Sequence, residues 1–512
     1  MKAKCHTPTS LKTKVNSDWE SESNSSSEND DNQEHKDHYF DPTKITTSLP
    51  LLPFKNQVGG HASFFRFSKR AICKPVSQSE QDFYEHIDTG HHELLPFTSQ
   101  YIGVLNVTYR LLVPEVMFEK NQHLLRDWEK CHSRGGCKKR RHSAQWDCRR
   151  RFQEKVLREV FSAKAIRERL LQAQDWQRTF GDHQGRSLPN LSGLDQTVDQ
   201  IVIEARRPSL INSTSSLPQL LQYEKEKPMF SMDDIAIEKK LAEQSAPPIE
   251  KEQSETSNNP WSLQMYNRDL QRIKNRKQTS EQKYILIEDL TDGIKYPCVL
   301  DLKMGTRQYG VYASEEKMNG QKIKCEKSTS KLLGVRVCGM QVYQTDVDEF
   351  SYQDKYFGRN LSPYTFRKTL QNYLDNGKGC EIQHIPVIVR KLRRLARIVK
   401  TMHGYRFYAS SLLIIYDGDP LSVRKVDVRI IDFANCITIK DLKYNHKKFT
   451  YPPTNKGPDS GYLLGLKTLT LCYEWIYLTQ GGLPENIVLE GEDVFHDISD
   501  PANDKALAKL LH

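Results

Sequence analysis

The chain has 512 residues, 37% of them hydrophobic and 27% charged, so it is long enough for several domains but also contains segments too polar to fold. Its 11 cysteines follow no disulfide-like spacing, no leader with an apolar stretch is present, and no apolar run could cross a bilayer. We therefore expect a reducing cytoplasmic or nuclear setting and no membrane insertion. The net charge of +10 favours an anionic partner: nucleic acid, anionic lipid or a polyphosphate.

The first segment, residues 1–50, is predicted to be a disordered acidic tail. Residues 21–31 consist only of serine, glutamate, asparagine and aspartate, so they have nothing to bury. A regulatory tail and a solvated arm both fit this composition.

Order is predicted to begin near Leu51, with Gly59 and Gly60 placed where main-chain amides could approach a phosphate, although two glycines more often mark a turn. Lys74 ends a strand, and Glu80 lies near the start of the next helix. Protein kinases hold ATP phosphates with such a lysine–glutamate pair, whereas the alternative is a surface lysine. The predicted elements here are strands at 63–67, 71–75 and 101–107 and a helix at 79–87.

Residues 114–258 change character and are predicted to be an insertion, part helical and part disordered. A basic helix is predicted over 146–176, where apolar residues recur at roughly helical spacing among many arginines. The basic runs at 138–141 and 149–151 could form an anion patch, a nuclear import signal or a solvated face.

Order resumes near Asn259, and residues 284–288 have the apolar run of a buried strand. Glu288, Asp289 and Leu290 leave this strand at a position typical of the hinge between two lobes. Main-chain groups there could bind adenine, and the Asp289 carboxylate could reach a ribose.

The most informative stretch reads Pro-x-x-x-Asp-x-Lys-x-Gly at residues 297–305. Its apolar residues favour a buried strand that the glycine ends. Since residues two apart share a face of a strand, Asp301 and Lys303 place a carboxylate beside an ammonium group at the strand's end. That pair suits phosphoryl transfer, and a surface ion pair is the alternative.

Two strands at 405–416 and 426–432 are joined by a short connection, so they are predicted to pair antiparallel. They end at Asp432, where protein kinases place an aspartate that binds magnesium. A turn or helix cap is the commoner role of an aspartate after a strand. A lysine-rich segment at 317–331 and helices at 362–374, 386–400 and 459–478 complete this region.

These motifs, in this order, resemble the inositol polyphosphate kinase family, and most closely its inositol hexakisphosphate kinases. The likeness covers residues 54–113 and 259–475. The matching runs are 56–61, 284–290, 297–310, 334–343, 410–413 and 431–433.

The resemblance implies a two-lobed, kinase-like α+β fold of the inositol polyphosphate kinase or ATP-grasp-like kind, with antiparallel sheets and a long, partly disordered insertion. The segments that follow are a tail (1–50), the first part of the N-lobe (51–113), the insertion (114–258), the second part of the N-lobe with the hinge (259–293), a C-lobe with the inositol phosphate and metal site (294–480), and a peripheral segment (481–512).

The resemblance also implies transfer of the ATP γ-phosphate to a phosphate of inositol hexakisphosphate, with Mg²⁺ held by Asp432. The predicted catalytic residues are Asp301 and Lys303. The predicted ATP-binding residues are Lys74, Glu80, Glu288, Asp289, Leu290, Ser411 and Asp432. The predicted substrate-binding residues are Pro297, Lys303, Gly305, Thr306 and Arg307.

Two other functions stay open. A multikinase that phosphorylates hydroxyls of less phosphorylated inositols would share the core motifs, and a non-catalytic scaffold would bind inositol phosphates without consuming ATP. The presence of Asp301, Lys303 and Asp432 argues against the scaffold. We do not expect nucleic acid to be the partner, and protein partners through the tail or the insertion stay open.

Overall fold

A computed structural model describes residues 48–110, 113–117, 119–121, 259–274, 281–488, 491–498 and 501–511, together with the helical residues 151–153, 155–156 and 159–160. Almost all of the predicted acidic tail and most of the predicted insertion therefore lie outside the described residues. Within the described part, no helix combines the length and apolar composition needed to span a membrane.

The first sheet has seven antiparallel strands in the order β1-β6-β5-β7-β4-β3-β2. These strands are β1 (Ser48–Pro50), β2 (Leu52–Pro53), β3 (Phe65–Arg66), β4 (Ala71–Pro75), β5 (Tyr101–Arg110), β6 (Val113–Met117) and β7 (Glu281–Glu288). Helices α1 (Gln78–Gly90) and α2 (Pro260–Lys274) accompany them. Residues 48–50 belong to the predicted tail, yet they form strand β1 because they pair with β6.

Strand β7 shows why the centre of this sheet reads as a continuous apolar run. Ile285 and Ile287 face the main core, whereas Tyr284 and Leu286 face a second cluster on the opposite side of the sheet. Alternate residues of a strand point to opposite faces, so both faces of β7 are buried. The second cluster takes in Tyr266 of α2 and Val156 from the predicted insertion, which therefore contributes to the core of this sheet.

The second sheet is also antiparallel, in the order β10-β9-β8-β11-β12. Its strands are β8 (Pro297–Met304), β9 (Val335–Gln344), β10 (Glu349–Gln353), β11 (Ser411–Asp417) and β12 (Asp427–Ile431). The helices of this half are α3 (Glu315–Glu326), α4 (Ser330–Leu333), α5 (Lys355–Arg359), α6 (Pro363–Tyr373), α7 (Ile385–Thr401), α8 (Ile439–Tyr444), α9 (Ser460–Thr479) and α10 (Pro501–Leu511).

Helix α7 carries one strongly apolar face. Ile388, Leu392, Leu395 and Val399 recur at helical spacing and are completely buried. They pack with α9 beneath the second sheet, in the same apolar cluster as residues of α1 and β7. The two sheets therefore share one core, which fixes how their edges approach each other.

The α+β prediction with antiparallel sheets is confirmed. The predicted strand at 405–416 is wrong in its first half, since β11 begins only at Ser411. Before it, the Ser410 amide closes a turn onto the Phe407 carbonyl, and Ala409 takes a left-handed φ of 56°. The Asp459 carboxylate accepts a hydrogen bond from the Phe407 amide, so a distant side chain holds this turn in place.

Candidate active site

Three strand ends converge on one edge of the second sheet. In the antiparallel register, Lys303 near the end of β8 lies opposite Ser411 at the start of β11, and Ser411 lies opposite Ile431 at the end of β12. Asp432 follows directly. Neighbouring antiparallel strands run in opposite directions, so residues distant in sequence meet at this edge.

Asp432 lies between two lysines. Its Oδ2 atom is 2.9 Å from the Lys303 Nζ, and its Oδ1 atom is 3.8 Å from the Lys74 Nζ. Burial disfavours the charged form, but the two ammonium groups outweigh it and hold the pKa of Asp432 well below its usual range. The residue also adopts a left-handed φ of 67°, which for a residue other than glycine marks a backbone held by its surroundings. Asp432 is therefore ionised at neutral pH and held in one position.

Lys74 of β4 is held by Glu80 of α1. The Lys74 Nζ lies 2.8 Å from Glu80 Oε1, and the two residues are 7% and 2% exposed. Burial alone would lower the pKa of Lys74, but the Glu80 and Asp432 carboxylates raise it, so the amine stays charged. Glu80 also accepts a hydrogen bond from the Phe433 amide at 3.3 Å, which ties α1 to the residue after Asp432.

Asp301 points from β8 to the same side as Lys303. It is 5% exposed, and within the described structure its Oδ1 atom has no hydrogen-bond partner. Burial raises the pKa of the Asp301 carboxyl, against the lowering effects of the Lys303 ammonium group and the Ser411 hydroxyl. A buried carboxyl of this kind binds a proton more readily than an exposed one.

The predicted hinge contains one apolar residue that packs in a cluster and two carboxylates that accept hydrogen bonds from other protein groups. Leu290 packs beside Val58 and Leu413 in a small apolar cluster between the sheets. Asp289 Oδ1 accepts hydrogen bonds from the Thr291 amide and hydroxyl at 2.8 and 2.7 Å, so it closes its own turn. Glu288 accepts from the Gln100 amide at 3.0 Å. The cluster could receive a flat apolar ring, whereas contacts of either carboxylate with ATP stay predictions.

The predicted substrate-binding residues separate into two groups. Lys303 lies at the edge just described, whereas Pro297 lies six residues back along β8, about 20 Å away at the rise of a strand. Gly305 has a positive φ of 88° and ends β8, and Thr306 packs against Gly461 at the start of α9. The structure therefore does not bring Pro297 to the site.

Arg307 has a structural role that the sequence did not predict. Its guanidinium donates hydrogen bonds to the Tyr309, Tyr451 and Pro452 carbonyls and packs over the rings of Tyr309 and Tyr408. These contacts use three of its five N–H donors, so the side chain holds the 449–452 loop, and its binding of substrate stays a prediction. Nothing in the sequence around Arg307 indicates the contacts with Tyr451 and Pro452, which lie 144 and 145 residues further along the chain.

Three further basic residues lie near the site and are absent from the predicted site residues. Lys317 of α3 is exposed and lies near both Lys303 and Asp432. Partial desolvation and the charge of Lys303 lower the pKa of Lys317, despite the opposite effect of Asp432. Arg336 of β9 is buried and lies opposite Lys303 in the register. His61 lies near enough to Asp432 to lower its pKa. The lysine-rich composition of 317–331 was the available signal for the first of these.

Among the described residues, no three His, Cys, Asp or Glu side chains converge on one point. Asp432 offers hard carboxylate oxygens at a partly exposed position. Mg²⁺ in nucleotide sites binds one or two carboxylates and completes its shell with phosphate oxygens and water, so these residues fit a metal that arrives with a nucleotide.

A family model described as inositol polyphosphate kinase matches residues 284–474. Inositol hexakisphosphate kinase 3 of Mus musculus is 33% identical to this chain, over 84% of it and 96% of the relative. Inositol hexakisphosphate kinase 1 of Homo sapiens is 32% identical, over 83% of this chain and 93% of the relative.

The chain belongs to the inositol polyphosphate kinase family. An uncharacterized inositol polyphosphate kinase of Schizosaccharomyces pombe is 30% identical over 85% of this chain, which spans 64% of that relative's length. A crystal structure of an inositol phosphate multikinase from S. cerevisiae, in complex with ADP and Mn²⁺, has a TM-score of 0.32 at 23% identity and covers 38% of this chain and 83% of that one. That likeness is too slight to inform the site.

Proposed function

We propose that this protein is an ATP-dependent inositol hexakisphosphate kinase that makes a diphosphoinositol polyphosphate. The observation that carries the proposal is Asp432 fixed between Lys303 and Lys74 at one sheet edge, in a chain whose relatives are inositol hexakisphosphate kinases over most of their length. In phosphoryl transfer a carboxylate can hold the metal, and cations beside it can neutralise phosphate charge.

On the nucleotide side, Lys74 neutralises the α- and β-phosphates, and Glu80 keeps its ammonium group in place. Adenine lies against the apolar cluster of Leu290, Val58 and Leu413. Asp432 would hold Mg²⁺, which would spread the charge of the ATP phosphates.

On the acceptor side, the attacking atom is an oxygen of a phosphate group on the inositol ring. It forms a bond to the γ-phosphorus while the bond to the ADP oxygen breaks, and the product contains a pyrophosphate. The attacking oxygen is already anionic, so a strong base is unnecessary. The main obstacle is repulsion between two polyanions, which Lys303, Lys317 and Arg336 offset.

The proposal also places the protein in a reducing compartment, either the cytoplasm or the nucleus. It is supported by the cysteines of the described residues, which are free thiols.

The deciding experiment incubates the purified chain with ATP and Mg²⁺ and offers inositol hexakisphosphate or a less phosphorylated inositol. Separation of the products and their masses identify the acceptor. We expect a product one phosphate heavier than the hexakisphosphate, lost when the metal is chelated. Products only from acceptors with free hydroxyls would make the protein a multikinase. Binding of inositol hexakisphosphate without consumption of ATP would make it a scaffold.

A further inference from the structure

Gly59 lies directly over the Asp301 carboxyl. A Cβ atom built on Gly59 would lie 3.3 Å from Asp301 Cγ and well inside the contact distance of Oδ2. The φ angle of Gly59 is not in the left-handed region, so space, and not backbone conformation, requires glycine here. Any larger residue must displace either the loop or the carboxyl.

The loop that carries Gly59, residues 57–62, is held from within by Gln57, and we call it the glycine loop. The buried Gln57 amide donates hydrogen bonds to the Gly59 and Ala62 carbonyls at 2.9 and 2.8 Å, and its oxygen accepts one from the Phe64 amide at 3.1 Å. One side chain therefore satisfies three main-chain groups, so moving the loop would break several bonds together.

The glycine loop also contacts β9 of the second sheet. A Cβ on Gly339 would overlap the Val58 carbonyl, so a second glycine allows the two backbones to touch. The Val58 side chain packs against Val299 and Ile415 of the second sheet. The loop is thus held against the sheet at Val58, next to its contact with Asp301.

We propose that Gly59 is a positioning residue for phosphoryl transfer: the glycine loop seals the Asp301 carboxyl from water and fixes it beside Lys303. The observations behind this are the absence of room above Oδ2 and the burial of an Oδ1 atom that has no partner within the described structure. Asp301 and Lys303 project from the same face of β8, so a displaced carboxylate changes the field at the lysine that faces the reacting phosphates. The inference rests on the proposed function for its catalytic part only.

The contact itself is tested by thermal unfolding of four variants: Gly59→Ala, Asp301→Ala, the double variant and Gly90→Ala. We expect Gly59→Ala to lower Tm and to have little effect when Asp301→Ala has already removed the colliding atoms. Gly90→Ala is the matched control, because a Cβ there meets no atom within 4 Å. An equal fall in Tm in both backgrounds would overturn the contact, whatever reaction the protein catalyses.

The catalytic part is tested by steady-state kinetics of folded Gly59→Ala with ATP and inositol hexakisphosphate. We expect kcat to fall by about 100-fold with an unchanged KM for ATP, since a misplacement of about 1 Å caused by a mutation away from the reacting atoms has that order of effect. Gly90→Ala should match the wild type. A wild-type kcat in Gly59→Ala would overturn the positioning role. A wild-type chain that consumes no ATP would refute the proposed function and this role together, while the thermal test of the contact would still stand.

Discussion

At the residue scale, Asp432 combines a left-handed backbone with two cationic neighbours. Asparagine tolerates that backbone and has nearly the same shape, but it lacks the charge. We therefore expect Asp432→Asn to remain folded and to lose at least about 100-fold in turnover, the order seen when one preorganised charge is removed. The matched control is Asp419→Asn, which breaks a surface pair with Lys295 and should keep wild-type turnover. Normal turnover in folded Asp432→Asn would remove the metal assignment.

The same substitution predicts a pH dependence of stability. The folded pKa of Asp432 lies below the unfolded value of about 3.9, so its ion pairs contribute fully above that value and are lost as pH falls through the lower, folded pKa. The stability difference between the wild type and Asp432→Asn should thus be constant near neutral pH and shrink below about pH 4. Urea unfolding across this range measures it. A stability difference that stays constant down to pH 3, roughly one unit below the unfolded pKa, would contradict the ion-pair account.

Arg307 yields a prediction that separates its structural role from the substrate-binding role predicted from the sequence. Because its guanidinium holds the 449–452 loop, we expect Arg307→Ala to reduce the free energy of unfolding by about 1–3 kcal/mol and to expose that loop to proteolysis. The KM for inositol hexakisphosphate should stay close to that of Arg390→Ala, a control on the exposed face of α7. A large rise in this KM with unchanged stability would contradict the structural role and support substrate binding.

At the element scale, α1 and the Asp432 segment pack as one unit. The ring of Phe83 stacks on Phe433 with centroids 4.6 Å apart, Tyr84 meets Phe433 edge-on at 4.9 Å, and Glu80 accepts the Phe433 amide. The position of α1 therefore sets both the lysine that faces ATP and the loop that bears Asp432.

This packing can be tested at Phe83. We expect Phe83→Ala to cost about 3–5 kcal/mol of stability and to raise the KM for ATP, because Glu80 sits one turn earlier on the same helix. Phe83→Leu refills part of the space and should have a smaller effect on both. Denaturant unfolding and ATP titration measure the two effects, and an unchanged KM for ATP in a destabilised Phe83→Ala would show that α1 does not position Lys74.

Elements with a clear apolar period could be predicted from the sequence, and elements held by distant partners could not. Helix α7 and strands β7 and β8 follow from their apolar runs. The turn before β11 could not be predicted, since it is held by the carboxylate of Asp459, 52 residues from Phe407. The meeting of Lys303 with Asp432, 129 residues away, followed from the family likeness and not from periodicity.

At the scale of the whole molecule, one continuous core joins the two sheets. Phe83 and Ile287 from the first half share an apolar cluster with Leu300 and Leu392 from the second. Packing of this kind resists deformation, so the shared core helps to hold the edge that carries Lys303 and Asp432 in position relative to Lys74. The excess of positive charge over the chain suits an anionic acceptor but does not choose it.

The central claim is that Lys303 and Asp432, brought together from distant strands, serve one transfer reaction. The most direct measurement uses ATP labelled at its γ-phosphate, inositol hexakisphosphate and Mg²⁺, with the wild type, Lys303→Ala and Asp432→Asn compared as folded proteins. We predict label in a pyrophosphate of the inositol product for the wild type, and almost none for either variant. Equal labelling by all three proteins would contradict the account.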